Sequence, residues 1–194
     1  KGSRSPLLPA SDYKLTYQAK NRRSVYSFCM CPGGYVVNAS SEAGHTVVNG
    51  MSYYRRDSKN ANSAIVVSVT PEDFPDHNVL AGVSFQRKWE SLAYREGNGA
   101  IPIQLYRDFK ENKKSEGYGR ITSVTKGNCC FANIRNCLPD EISNTLIEGM
   151  EAFGGRIKGF SNDDVVFSRV ETRTSSPVRI LRDETGQSSI KGLY

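Results

Sequence analysis

The sequence predicts an α+β fold: a mainly antiparallel or mixed sheet with three or so helices packed on it. Two observations point there. β-type runs cluster early and late in the chain, and helix-type periodicity is confined to about residues 80–155. The same segregation argues against a doubly wound sheet; separately, no Gly-x-Gly-x-x-Gly follows a strand and opens a helix, and there is no Walker loop.

In chain order, residues 1–23 are polar, with Leu7, Leu8 and Leu15 as their few apolar anchors, and read as a connecting arm ahead of a single domain over 24–194. Val25 to Met30 and Tyr35 to Ala39 read as strands of a hairpin. Between them, Pro32 supplies the fixed φ and Gly33 the positive φ of a tight turn. Thr46 to Asn49 suits a short strand. Ser63 to Thr70 is β-branched and almost continuously apolar, the pattern of a strand buried on both faces, and Pro71 stops it. Leu80 to Glu96 reads as a helix with Phe85, Trp89 and Leu92 on one face. Pro102 suits the first turn of a second helix, with Leu105 and Phe109 as its stripe. Residues 115–138 predict a long ordered excursion anchored by Ile121, Val124, Phe131 and Ile134. Pro139 opens a third helix with a buried row of Ile142, Leu146, Met150 and Phe153. Val165 to Phe167 and Val178 to Leu181 read as strands, the latter pairing with Ser188 to Tyr194 across the Asp183–Gly186 turn.

Composition narrows the function. A formal charge of +6 is compatible with RNA or another polyanion, but the basic residues occur as short pairs such as Arg22-Arg23 and Arg55-Arg56, with no long stripe. No run approaches the roughly 18 apolar residues of a membrane helix, and no leader is visible, so the expected compartment is the cytoplasm. The five cysteines, spaced Cys-x-Cys (Cys29, Cys31), Cys-Cys (Cys129, Cys130) and a lone Cys137, fit neither a disulfide framework nor a zinc site. Cys129, Cys130 and Cys137 read as buried thiols. With His45 and His77 as the only histidines, a hydrolase triad is not supported.

Three segments are dense in chemistry-bearing residues. In the first, Cys29, Cys31, Pro32, Gly33 and Gly34 place two thiols beside a tight turn. In a regular strand the two thiols share a face about 6–7 Å apart, which strains a disulfide between them. In the second, Asn49, Gly50, Met51 and Ser52 lead to Asn60, Asn62 and Ser63, whose amides suit either backbone capping or the edge of a polar ring. In the third, Arg173, Thr174, Ser175, Ser176 and Arg179 follow Glu171. Two arginine forks and several hydroxyls suit a bound anion or heterocycle, or else a solvated strand in which Glu171 pairs with an arginine.

Together these segments resemble a bacterial family of FAD-dependent dehydrogenases. Cys-Met-Cys-Pro-Gly-Gly (29–34), Asn-Gly-Met-Ser (49–52), Asn-Ala-Asn-Ser (60–63), Gln86-Arg87 with Glu90, and Glu-Thr-Arg-Thr-Ser-Ser-Pro-Val-Arg-Ile (171–180) occur in the family's order. The resemblance implies an internal substrate or cap domain, inserted in a flavoprotein built on a two-dinucleotide-fold-like scaffold. Its partners would be the FAD-binding remainder of the same polypeptide and a small-molecule substrate. The family's dinucleotide-binding glycine loop would lie before this region, and a second FAD-contacting stretch would follow the equivalent of Gly192-Leu193-Tyr194. By the same implication, the residues of the three segments face the flavin or substrate, FAD belongs to the full-length protein, and this chain alone is inert.

Overall fold

The computed structural model describes Leu7 and residues 14–194, apart from the side chain of Phe28. Its described residues form three α-helices and three small sheets, an α+β arrangement in which the sheets adjoin as one curled surface. Leu15–Gln18 (β1) runs antiparallel to Ser24–Cys31 (β2), so this part of the expected arm is a paired edge strand. Residues 1–6 and 8–13 of that arm lie outside the described residues.

The expected hairpin does not form. Gly33 adopts the positive φ of 55° that the turn needs, but β2 pairs only with β1 and with Asn62–Val67 (β5). Gly34–Asn38 (β3) pairs instead with Val48–Ser52 (β4) and, in parallel, with Thr125–Lys126 (β7). The turn is a corner that hands the chain from one sheet to the next. A register shift between Phe28 and Cys31, with Cys29 at φ 51°, bends the end of β2. Gly34 N then donates to Asn60 O at 2.9 Å. β5 is half-buried throughout, not buried on both faces. It is a sheet edge, and Ile65 and Val67 alone pack on the main core.

The first helix, α1, spans Ala81–Glu96 close to expectation, but its fully buried positions are Ala81, Gly82, Glu90 and Ala93, while Phe85, Trp89 and Leu92 are half-buried. Phe85 packs between Phe74 and Trp89 at ring distances of 5.6 and 5.8 Å. Pro102 does not open a helix. Ile101–Leu105 is β6, a five-residue strand buried at every position, and the helix after it, α2, is only Tyr106–Lys110. β6 is the middle of a sheet between Cys129–Phe131 (β8, parallel) and Val166–Ser168 (β9, antiparallel). Burial at every position, Gln104 included, is the signature of a covered central strand. The 115–138 excursion is ordered, ending in a 3-10 turn at Ile134–Cys137. Buried Gln104 fastens it, donating to Lys113 O at 2.7 Å and accepting from Ile134 N at 2.9 Å.

The third helix, α3, spans Asp140–Gly154 and buries the expected row of Ile142, Leu146, Met150 and Phe153. Ile142, Leu146 and Met150 join Tyr106, Phe109, Ile134 and Leu138 in the main core. The expected strand pair at the C-terminal end does not form. One isolated bridge, Arg182 to Ser188, is its only trace, and Ile180 and Leu181 are exposed. Of the three cysteines read as buried, Cys137 is, Cys130 is half-buried and Cys129 is exposed, at the start of the short outer strand β8. No helix among the described residues is long and apolar enough to cross a membrane, and no His/Cys/Asp/Glu group among them suits a metal ion.

Candidate functional site

The corner between the sheets brings the first two segments together. Cys31 pairs with Asn62 across β2 and β5, and Gly34 with Ser52 across β3 and β4. Ser52 Oγ donates to Pro32 O at 3.1 Å, and the backbone of Arg56 and Asp57 lies against Gly33. Glycine is required there and at two further positions. A Cβ at Gly34 would lie 2.6 Å from Cys31 Cβ and 2.8 Å from Asn62 Nδ2, and one at Gly50 would collide with Asn62 Oδ1. The Asn62 amide is thus held in a narrow space, its Nδ2 buried and without an acceptor. Such an orphaned donor is costly unless something outside the chain completes it.

Cys31 sits in this space half-buried, its Sγ 3.4 Å from Cys29 O. Burial pushes its thiol pKa up, and neighbouring Cys29 and Glu171 push the same way, against Ser52 and Arg56. Because Cys29 is on the bulge and exposed, the regular-strand spacing expected for the two thiols does not apply. Glu171 is half-buried, and burial alone raises its carboxyl above the usual range. The remaining candidates flank the site. Asn60 Nδ2 donates to Thr122 O at 2.7 Å, and Ser63 Oγ shares a hydrogen bond with Ser27 Oγ at 2.6 Å. Asn49 is exposed and accepts from Gly50 N, and Met51 lies opposite Tyr35 on β3.

The third segment gathers elsewhere, on α1. Arg173 grips the fully buried Glu90 with both arms of its fork, Nε to Oε1 at 2.9 Å and Nη2 to Oε2 at 2.8 Å. It also donates to Ser41 Oγ at 2.8 Å and Glu42 Oε1 at 3.1 Å. Thr172 Oγ1 adds a 2.5 Å bond to Glu90, and Gln86 Nε2 donates to Thr172 O at 2.7 Å. Burial works to raise the Glu90 pKa, but the bonds from Arg173 and Thr172 outweigh it and hold the carboxyl below the usual range. The arginine's partner is therefore Glu90, not Glu171. Ser175 and Ser176 line a shallow groove of about 350 Å³ beside this pair. Thr174 and Arg179 are exposed.

One extended run joins the two places. Val170 O accepts from Val48 N of β4 at 2.8 Å, Glu171 lies near enough to Cys31 to raise its pKa, and Thr172 and Arg173 reach α1. The sequence reading did not count Glu90, Glu42 and Ser41 among the site candidates. The available signal for Glu90 was its place with Gln86-Arg87 among the family's ordered segments.

Fold and site together define an α+β domain that presents a polar, glycine-backed wall and carries no dinucleotide-binding loop in its sequence. The chain belongs to the family described as FAD-dependent protein, C-terminal domain-like, whose model matches residues 1–174. It is also 47% identical over 193 residues to a protein of Clostridium beijerinckii described only as uncharacterized, a match covering 97% of this chain and 36% of that protein. The chain thus spans little more than a third of that relative's length. For FAD, the cofactor this family implies, the orphaned Asn62 donor suits an acceptor on the polar edge of a flavin ring, while the space against Gly34 and Gly50 is taken by the Asn62 and Cys31 side chains. The sequence carries no glycine loop for the diphosphate.

Proposed function

We propose that this domain is the substrate or cap domain of an FAD-dependent oxidoreductase, completed by the FAD-binding remainder of the same polypeptide and inert by itself. The observation that carries the reading is the buried, acceptor-less Asn62 amide, set beside Cys31 and Ser52 and packed against Gly34 and Gly50. FAD, when bound, supplies the hydride and electron transfer. Asn62 and Ser52 would hold and orient a ring edge or substrate. Cys31 would give a polarisable, protonated contact, and Glu171 would hold or give up a proton at its carboxylate. Arg173 acts differently: locked onto Glu90, it is a positioning residue that fixes the 171–176 run against α1. Ser175, Ser176, Thr174 and Arg179 would meet the substrate or the remainder of the protein from the outer side.

The test uses the full-length protein with Asn62→Leu and Gly50→Val. Both variants should keep FAD, yet shift its visible absorption bands and change its rate of reduction at least tenfold. An unaltered flavin spectrum and unaltered reduction in both variants would remove this site from the flavin's surroundings. The polyanion reading is less favoured, because Arg23, Arg87, Arg120, Arg135 and Arg173 all lie in ion pairs with acids.

A further inference from the structure

Arg169 differs from the paired arginines. Its Nε is sealed from solvent and has no acceptor, and among the described residues no carboxylate reaches its guanidinium. It lies at the seam of two sheets. It directly follows β9, its backbone N donates to Pro102 O of β6 at 3.2 Å, and the next residue, fully buried Val170, accepts from Val48 of β4. Ala93 of α1, the buried Cys137 and Val170 form the apolar cluster beside it. Burial depresses its pKa to about 10, with the nearby Cys137 acting the other way, so the group is charged at neutral pH. A guanidinium carries five donors in a fixed fork. The residue as a whole is half-buried, so the sealed Nε is the donor that neither water nor the fold satisfies, and leaving it without an acceptor is costly.

We propose that Arg169 is the receptor for an anionic group, a carboxylate or a phosphate, that enters at the seam between β9 and β4. The site is independent of the flavin reading: it takes any small ligand bearing such a group, and it lies two residues before Glu171. An anion there would accept from the Arg169 fork and complete the donor that the fold leaves without an acceptor. Proteins often carry functional groups that lower stability in the empty state.

The chain itself is the test object, with inorganic phosphate and acetate as separate probes at fixed ionic strength in chloride. Thermal unfolding and the Arg169 Nε–H NMR signal are read in the wild type, Arg169→Met and Arg169→Lys. In chloride alone, Arg169→Met should melt higher than the wild type. One or both probes should move the Arg169 signal and raise the wild-type Tm, by about 4 °C at ten times Kd. Arg169→Met should lack this rise and Arg169→Lys should show a smaller one. A response to phosphate alone assigns a phosphate ligand, and one to acetate alone a carboxylate. No response to either probe, or an equal rise in Arg169→Met, overturns the proposal. If Arg169→Met does not fold, the wild-type NMR titration and the wild-type-to-Lys difference decide it.

Discussion

Glu90 shows how much one residue can organise. It is fully buried and charged, because Arg173 and Thr172 satisfy both of its oxygens. Removing one member of such a pair leaves the other without its partner. Glu90→Gln should therefore cost about 2 kcal/mol, a value reduced for the partial exposure of Arg173, and urea unfolding would measure it. The pH dependence has a definite sign. Folding lowers the pKa of Glu90, and Arg23 likewise lowers that of Asp73. Both groups therefore bind fewer protons folded than unfolded. Their stabilisation is complete above the unfolded carboxylate range, roughly pH 4, and is lost as the pH falls through the folded values. Unfolding midpoints at pH 7, 4 and 3 should fall in that order, and less steeply in Glu90→Gln.

The thiols make a second residue-scale prediction. Cys29 and Cys129 are exposed, Cys31 and Cys130 are half-buried with raised pKa values, and burial pushes Cys137 up to about 11. A disulfide reagent at pH 7.5 or so should label Cys29 and Cys129 first and Cys137 only on unfolding, since the thiolate is the reacting form. Peptide mapping over time would check the order.

At the scale of elements, α3 contains an interior glycine that helix propensity alone disfavours. The packing gives the reason: a Cβ at Gly149 would lie 2.5 Å from Val25 Cγ1, where α3 crosses β2. In an open helix Gly→Ala gains nearly 1 kcal/mol. Here overpacking should reverse the sign, and Gly149→Ala should destabilise the chain by about 1–2 kcal/mol, seen as a lower Tm by calorimetry. A stabilised variant would mean that the helix can move off the strand. The same crowding argument applies to Gly34 and Gly50, where added side chains would displace Asn62.

Elements differed in how legible they were. α3 could be read because a long helix repeats its apolar row several times, and α1 because its length and its glycine stop are local. The Pro32-Gly33 turn was also legible, but its partner strands were not. Turn chemistry fixes the backbone at the turn alone, while the bulge at Cys29 decides where the strands go afterwards. β6 was misread as a helix start because a proline followed by spaced apolar residues suits either state. Burial between β8 and β9 selected the strand, and Pro102 O still serves as an acceptor, for Arg169 N.

For the whole molecule, the family and the chain's share of its relative set the expectation. The purified chain should be colourless, and the full-length protein should carry FAD through gel filtration. Absorbance at about 450 nm distinguishes them, and stoichiometric flavin on the chain alone would contradict the proposal that the cofactor's main site lies outside it. The exposed Ile180, Leu181, Ile190, Leu193 and Tyr194 cluster late in the chain, where the expected strand pair finds no sheet to complete it.

By itself the sequence determined the fold class, the main helices, the three polar segments and, through their order, the family. These rest on local periodicity, turn chemistry and short motifs, all of which are written along the chain. Tertiary structure decided what those segments face. It tied Arg173 to Glu90 rather than to an open anion site, gathered Cys31 and Ser52 around the unsatisfied Asn62 amide, and left the Arg169 Nε without an acceptor. Those outcomes depend on contacts between residues tens of positions apart, and the register and packing that create them have no local signature.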